Sequence, residues 1–358
     1  RSCTLAQQAP QPIEVGPLRL KHNLPKSASR FLTEFNTNAY ALMDEKIEEK
    51  EIHRIAVVGA GLMGHGIAQE FALAGFEVCM HSRTESSLQQ AQIRITKNLT
   101  YLSDVGHITC EEATSVSQRL HKSTSIAEAV SHADFVIESV FENLELKRQI
   151  FAELDRLCPV HAIMASNTSG LMPSSFADAT SRPDKVLVTH YANPPHLMPL
   201  VEVVPGSKTS ESTVEFVCAL LTRIGKRPIV IRKEVPGFVL NRLQCALLRE
   251  ALWLIENDVV TAKDVDYAIS NSIGRRWSVA GIFQIFELAG WDLVSTIAEQ
   301  VFPHLAATSD LSPVLRAKLS DGHLGVKTDK GFYDWSSESA NALQQRISNA
   351  LLKIEQWD

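Results

Sequence analysis

The stretch Gly59-Ala60-Gly61-Leu62-Met63-Gly64 limits what this chain can become more than any other. It directly follows the apolar run Arg54–Val58 and opens a second apolar run, Leu62–Leu73, that reads as a helix. Glycines in G-x-G-x-x-G spacing between a strand and a helix have three separate tasks. Gly59 permits the tight turn, Gly61 lets a pyrophosphate approach the backbone, and Gly64 lets the helix close on the strand. The free N–H groups at the helix start then face the phosphates. In this setting the motif marks a dinucleotide site, with Gly59, Gly61, Leu62, Met63 and Gly64 around the phosphates.

The alternation continues beyond the turn. Glu77–His81, Ala133–Ser139, Ala162–Ser166, Val186–His190, Val201–Val204 and Ile229–Ile231 read as strands, and Ser86–Leu102 and Leu144–Leu157 as helices. Strands alternating with helices imply a parallel, doubly wound sheet. After Pro236-Gly237 the strands stop. Phe238–Ile255 carries Leu240, Leu243, Leu247, Leu248, Leu252 and Ile255 in a stripe broad enough to predict a helix buried on more than one side. The expected fold is therefore an α/β Rossmann-type doubly wound sheet over 53–236, followed by an all-α C-terminal domain over 237–335 and a helical tail over 336–358. Ahead of it, Pro10, Pro12, Pro17 and Pro25 leave 1–27 loose, 28–49 reads as a helix, and the charged run Asp44–Lys50 as its solvated end.

Composition narrows the function classes. Lys and Arg number 35 against 41 Asp and Glu, a net charge of −6, and no long basic block stands out, which argues against a general nucleic-acid binder. The longest uncharged apolar stretch, near Val279–Phe286, is far short of the ~18 residues a membrane span needs. The six cysteines, at 3, 79, 110, 158, 218 and 245, form no C-x-x-C pair, so zinc-ribbon and thioredoxin-like readings fail and no metal site is expected. Cys79 and Cys245 stand in apolar runs and read as reduced core residues, which fits the cytoplasm and leaves mitochondria and peroxisomes open. The N-terminus has no signal-peptide core, and the chain opens on Arg1, as a processed, trimmed or partial chain does.

The end of the second strand bears on the choice of dinucleotide. An acidic residue there would bind the ribose 2′-hydroxyl of NAD. Here Ser82 and Arg83 stand in its place, and a hydroxyl with a guanidinium suits the 2′-phosphate of NADP. Glu85, two residues on, keeps NAD open. Further along, Ala165-Ser166-Asn167-Thr168-Ser169 and Thr189-His190-Tyr191-Ala192-Asn193-Pro194-Pro195 begin at the ends of apolar strands, where ligands bind in such sheets. Oxidising an alcohol needs a group to take the hydroxyl proton, and histidine is suited to that near neutral pH.

Val57–Gly64, Val140-Phe141-Glu142-Asn143, Ser166–Ser169, His190 with Asn193-Pro194, Pro236–Arg242 and Lys327–Tyr333 together resemble the L-3-hydroxyacyl-CoA dehydrogenase family, in the same order and over about 53–335. The resemblance implies a homodimeric oxidoreductase of fatty acid metabolism. It would move a hydride between NAD(P) and C3 of a 3-hydroxyacyl-CoA. His190 would be the general base, Glu202 its partner, and Ser169 and Asn241 would hydrogen-bond the substrate oxygen. Glu142, Lys147, Asn193 and Lys327 would line the cofactor site. Two features depart from the family pattern. Ser82 replaces the usual acid, and Lys97–Val105 holds one lysine and Asp104 where acyl-CoA enzymes are lysine-rich. Asn193-Pro194-Pro195-His196 is similar to the branch of lambda-crystallin, gulonate and carnitine dehydrogenases. A free hydroxy acid is therefore the competing substrate, and a catalytically silent dinucleotide-binding protein the competing class. Arg242 and His196 read as structural and exposed residues, and Arg275-Arg276 as a solvated pair, with the holding of a substrate carboxylate as its lesser alternative.

Overall fold

The computed structural model describes residues 52–357. The expectations for 1–27, 28–49 and Asp44–Lys50 lie outside the described residues. The described chain divides into two compact units, 52–141 with Gln149–Ala165, and Glu142–Arg148 with Ser166–Trp357.

The first unit is a Rossmann-type α/β sheet. Its elements run β1 (Arg54–Val58), α1 (Gly64–Leu73), β2 (Glu77–His81), α2 (Glu85–Asp104), α3 (Cys110–Arg119), β3 (Leu120–Ser123), α4 (Ile126–Val130), β4 (Phe135–Glu138), α5 (Leu144–Leu157) and β5 (Ile163–Ser166), of which 144–148 and Ser166 fall in the second unit. The strand order is β3-β2-β1-β4-β5. β1 pairs in parallel with β2 and β4, and β2 with β3. Helices cover both faces of such a sheet, so its inner strands are continuous apolar runs. Ile55, Ala56, Val57 and Val58 are all buried, as are Ile67, Ala68, Phe71 and Ala72 of α1. Phe71 stands edge-on to Phe76 at 5.8 Å and tilted to Phe135 at 6.2 Å. Burying a ring of that size contributes about 2–3 kcal/mol.

The second unit holds β6 (Val186–Tyr191), β7 (Leu200–Pro205), α6 (Glu211–Arg223) and β8 (Arg227–Val230), in the order β6-β7-β8. β7 and β8 are parallel across α6, but β6 and β7 are antiparallel. This corrects the expectation of a wholly parallel sheet. Only 192–199 lie between β6 and β7, and a parallel crossover needs a dozen or more residues. Helices follow: α7 (Leu240–Glu256), α8 (Ala262–Asn271), α9 (Ile273–Trp277), α10 (Ile282–Ala289), α11 (Trp291–Val301), α12 (Pro313–Ser320) and α13 (Ser337–Glu355).

These helices have clear local causes. Thr261 and Asp264 close a capping box on α8, and Ser312 caps α12 with Pro313 at its first position. Their burial is another matter. Of the described residues from 237 onward, only Phe238, Leu252, Ser312 and Leu352 are buried. The α7 stripe that predicted burial on several sides buries Leu252 alone, and Leu243 is 62% exposed. Cys245, expected in a core, is exposed on the same helix, and Cys79 is half-buried. The apolar faces exist, but within one chain too little packs on them. No helix of the described residues is long and apolar enough to cross a membrane.

Candidate active site

In the first unit the glycine turn separates packing from access. Gly59 has φ +110°, and a Cβ there would stand 2.4 Å from the Ser139 carbonyl oxygen. Its amide donates to the His81 carbonyl at 2.9 Å, and the Ser139 amide to that of Val58 at 2.7 Å, so β1, β2 and β4 are tied together at the turn. A Cβ on Gly64 would lie 1.8 Å from the Gly59 oxygen. Both glycines are thus demanded by the fold. Gly61 is different, because a Cβ there would meet nothing within 4 Å. Leu62 beside it is 66% exposed. The backbone at 61 faces open space at the start of α1, where first-turn N–H groups lack intrahelical acceptors. A glycine that packing does not need, in that place, fits a pyrophosphate cradle. Met63 stands at the N-cap position of α1.

Two residues of this turn carry further detail. His65 Nδ1 lies 2.8 Å from the Gly61 carbonyl oxygen. Burial pushes the His65 pKa below the ordinary histidine value, against the pull of that hydrogen bond, so the neutral ring donates to Gly61. No sequence reasoning singled it out. At the end of β2, Ser82 is half-buried and Arg83 exposed. Thr84 caps α2 by accepting the Ser87 amide at 3.2 Å, which places Glu85 in the first turn, where the helix dipole favours a carboxylate.

In the second unit the antiparallel pairing sets His190 directly opposite Glu202. Opposed residues of a ladder present side chains on the same face. His190 Nδ1 and Glu202 Oε2 are 2.7 Å apart, with His190 5% exposed and Glu202 fully buried. Glu202 Oε1 accepts the amides of Val239 and Leu240 at 2.8 and 2.9 Å. Burial alone would push the Glu202 carboxyl up. The hydrogen bond from His190 and the two amides, with the His190 charge, outweigh it and hold the pKa below the ordinary glutamate value. His190 Nε2 makes no hydrogen bond among the described residues. The ring also packs on Phe238, whose centroid is 5.7 Å away. Phe238 is fully buried with φ +48°, directly after Gly237 at φ +77°. A bulky residue is rare in that region. The turn aims two amides at one carboxylate and a ring at the histidine, a role for Phe238 that its residue type does not announce.

The remaining members are linked to this pair. Asn241, second residue of α7, donates from Nδ2 to the Ser169 carbonyl at 3.0 Å, leaving the Ser169 hydroxyl out of that bond. Asn167 Oδ1 accepts the Tyr191 amide at 3.0 Å and holds the end of β6. Thr168 Oγ1 donates to Glu142 Oε1 at 2.5 Å, and the Gly170 amide donates to the same oxygen at 3.2 Å. Lys147, 1% exposed, places Nζ 3.6 Å from Glu142 Oε2. Glu142, Lys147, Ser169, Asn241, Glu202 and His190 are therefore connected through 167–170 and the start of α7. Asn193 is exposed in the 192–199 loop. Lys327 is exposed in a single 3-10 turn, Val326–Thr328, and no hydrogen bond or ion pair among the described residues joins it to this set. Arg275 and Arg276 are exposed on α9. The described residues hold no cluster of three or more His, Cys, Asp or Glu that could bind a metal ion.

A buried imidazole–carboxylate pair, in a chain that also carries a dinucleotide turn, defines a class: oxidoreductases that act on CH–OH groups. The 3-hydroxyacyl-CoA dehydrogenase NAD binding domain matches residues 54–235, and the 3-hydroxyacyl-CoA dehydrogenase C-terminal domain matches 237–335. The chain belongs to the 3-hydroxyacyl-CoA dehydrogenase family. It is 36% identical to the probable 3-hydroxybutyryl-CoA dehydrogenase of Bacillus subtilis, over 81% of this chain and 100% of that one. It is 38% identical to the L-carnitine dehydrogenase of Pseudomonas putida, over 68% of this chain and 74% of that one. The solved structure of 5-formyl-3-hydroxy-2-methylpyridine 4-carboxylic acid 5-dehydrogenase, described as an NAD+-dependent dismutase, superposes with a TM-score of 0.80 at 32% identity, covering 86% and 98% of the two chains.

Proposed function

We propose that the protein transfers a hydride between NAD(P) and the C3 hydroxyl or keto group of a 3-hydroxyacyl-CoA. The observation that carries this reading is the buried His190–Glu202 pair at 2.7 Å. In the oxidising direction His190 Nε2 takes the hydroxyl proton. The imidazole becomes a cation, and the Glu202 carboxylate against Nδ1 stabilises it and holds the tautomer. In the reducing direction the same proton returns to the substrate oxygen. The Ser169 hydroxyl and the second amide hydrogen of Asn241 hold that oxygen. The nicotinamide, when bound, accepts or supplies the hydride. Gly59, Gly61, Leu62, Met63 and Gly64 hold the pyrophosphate, and Glu142, Lys147, Asn193 and Lys327 complete the cofactor set. Ser82 and Arg83 favour the 2′-phosphate of NADP, while Glu85 and the family's NAD binding domain favour NAD.

A free hydroxy acid is the second reading. Lys97 is exposed on α2, but between 97 and 105 it is the single cation and Asp104 opposes it, a poor match to a polyanionic carrier. The relatives named for carnitine and for a pyridine carboxylate act on acids whose names carry no CoA.

The partner in this reading is a second copy of the chain. A helix must bury its apolar stripe against another element. Four buried residues from 237 onward cannot do that for seven helices. Leu243, Phe283, Leu288, Leu293 and Ile297 are each more than half exposed on those helices. The cytoplasm is the proposed compartment, supported by Cys79, Cys218 and Cys245 standing as thiols.

The test is turnover of NADH and NADPH with acetoacetyl-CoA. Turnover with either establishes the acyl-CoA reading, and the better cofactor decides what Ser82 and Arg83 do. Tight cofactor binding without turnover moves the assignment to a free hydroxy acid. Binding of neither dinucleotide refutes the proposal.

A further inference from the structure

The loop between β6 and β7 presents Asn193 and continues with Pro194-Pro195. Proline has no N–H, so two successive positions of this loop have no amide with which to anchor it. Its carbonyls are held instead. The Pro194 oxygen accepts the amides of Leu197 and Met198, both at 3.0 Å. The Pro195 oxygen accepts from Lys226 Nζ at 2.7 Å. Lys226 stands immediately before β8 and is only 6% exposed. The next residue, Arg227, donates its amide to the Pro199 oxygen at 2.8 Å. Two consecutive residues, Lys226 and the first residue of β8, thus grip both ends of 195–199, one through a buried ammonium and one through sheet-like backbone pairing.

The two grips differ in kind. The Arg227 bond extends the register that sets Leu200 opposite Arg227, and any residue there could make it. The Lys226 bond needs a charged donor at the end of a long stem. Packing alone does not call for it, since an uncharged chain of similar length would fill the same space without the desolvation cost of an ammonium. A charged donor makes a stronger hydrogen bond than a neutral one. It falls on the carbonyl two residues from Asn193.

We propose that Lys226 is a positioning residue for dinucleotide binding: its ammonium fixes the Pro195 carbonyl, and through it the place from which Asn193 meets the cofactor. The inference rests on the reading of Asn193 given above.

The test is NADH and NADPH binding to the full chain by nucleotide fluorescence, with wild type, Asn193→Ala, Lys226→Met, Lys226→Gln, Lys226→Arg and the double variant Lys226→Met/Asn193→Ala. Wild type binds, and Asn193→Ala weakens the tighter dinucleotide. Lys226→Met and Lys226→Gln weaken it by about tenfold, the loss of one charge-assisted bond, and Lys226→Arg stays within about threefold of wild type. The double variant binds no worse than Asn193→Ala alone, which a general loss of folding would not produce. A folded Lys226→Met or Lys226→Gln with wild-type affinity overturns the proposal. So does failure of both to fold, which would make Lys226 a residue of the fold. Wild type that binds neither dinucleotide, or Asn193→Ala without effect, instead removes the cofactor reading on which the proposal stands.

Discussion

Replacing Glu202 by Gln keeps the shape of the side chain and removes one charge and one acceptor. Glu202 now accepts three hydrogen bonds, from His190 at 2.7 Å and from Val239 and Leu240 at 2.8 and 2.9 Å. Glutamine has one oxygen and one NH2. With its oxygen kept on the two amides, the NH2 faces His190 Nδ1, which must turn from donor to acceptor. The opposite flip sets NH2 against two amide donors and leaves both unsatisfied, so the first arrangement prevails. It exchanges one charged hydrogen bond for a neutral one, a stability loss of about 1–2 kcal/mol. The kinetic effect is larger. The reversed tautomer puts the proton on Nε2, which then cannot take one from the substrate, and the imidazolium loses its counter-charge. The expected fall in kcat is about 10²–10⁴-fold, with the substrate KM little changed. Urea unfolding and nicotinamide absorbance kinetics read the two quantities. The folded Glu202 pKa is depressed below the ordinary 4.5. Its contribution is therefore fully present above that value and is lost as pH falls through the folded pKa. The stability gap between wild type and variant should close on acidification, as pH falls below 4.5 and through the folded pKa. A kcat within tenfold of wild type, or a gap that does not change with acid, would refute this account.

Five further outcomes are expected. His190→Asn should lower kcat by about 10²–10⁴-fold while NADH binding, read by fluorescence, is kept; equal loss of binding would make the residue structural. Gly59→Ala meets a backbone oxygen at φ +110° and should lose about 2–4 kcal/mol in urea unfolding. Gly61→Ala should fold with wild-type stability yet bind dinucleotide about tenfold more weakly, since its Cβ enters open space where the pyrophosphate approaches. Arg83→Ala should weaken NADPH more than NADH, and an unchanged NADPH-to-NADH ratio of kcat/KM would leave Arg83 merely solvated. Leu243→Glu and Phe283→Glu should halve the sedimenting mass, and a wild type that already sediments as a monomer would sink the second-copy reading.

How much of this was legible depended on whether a residue's environment is local. Arg54–Val58 and Glu77–His81 matched their strands residue for residue, because strands buried on both faces leave an unbroken apolar run. β3, Leu-His-Lys-Ser at the end of the strand order, was not foreseen, since an edge strand this polar carries no such run. The family resemblance implied Glu202 as the partner of His190, but the antiparallel register that sets the two opposite each other was available only in principle. The short spacing between the two strands excludes a crossover, yet the alternation of strands and helices argued for parallel pairing throughout. Phe238 and Asn167 were out of reach for a different reason. One takes a backbone conformation its residue type disfavours, and the other acts through a single amide, and neither leaves a trace in composition or period. The α7 stripe is the sharpest case. Its leucine spacing correctly marks a helix with a broad apolar face, but Leu243, Leu248 and Cys245 are exposed on it. Periodicity states that a face is shaped to leave water. It carries no information about whether the cover comes from the same chain or from another, because the free energy of burial depends on the area removed from water and not on covalent connection.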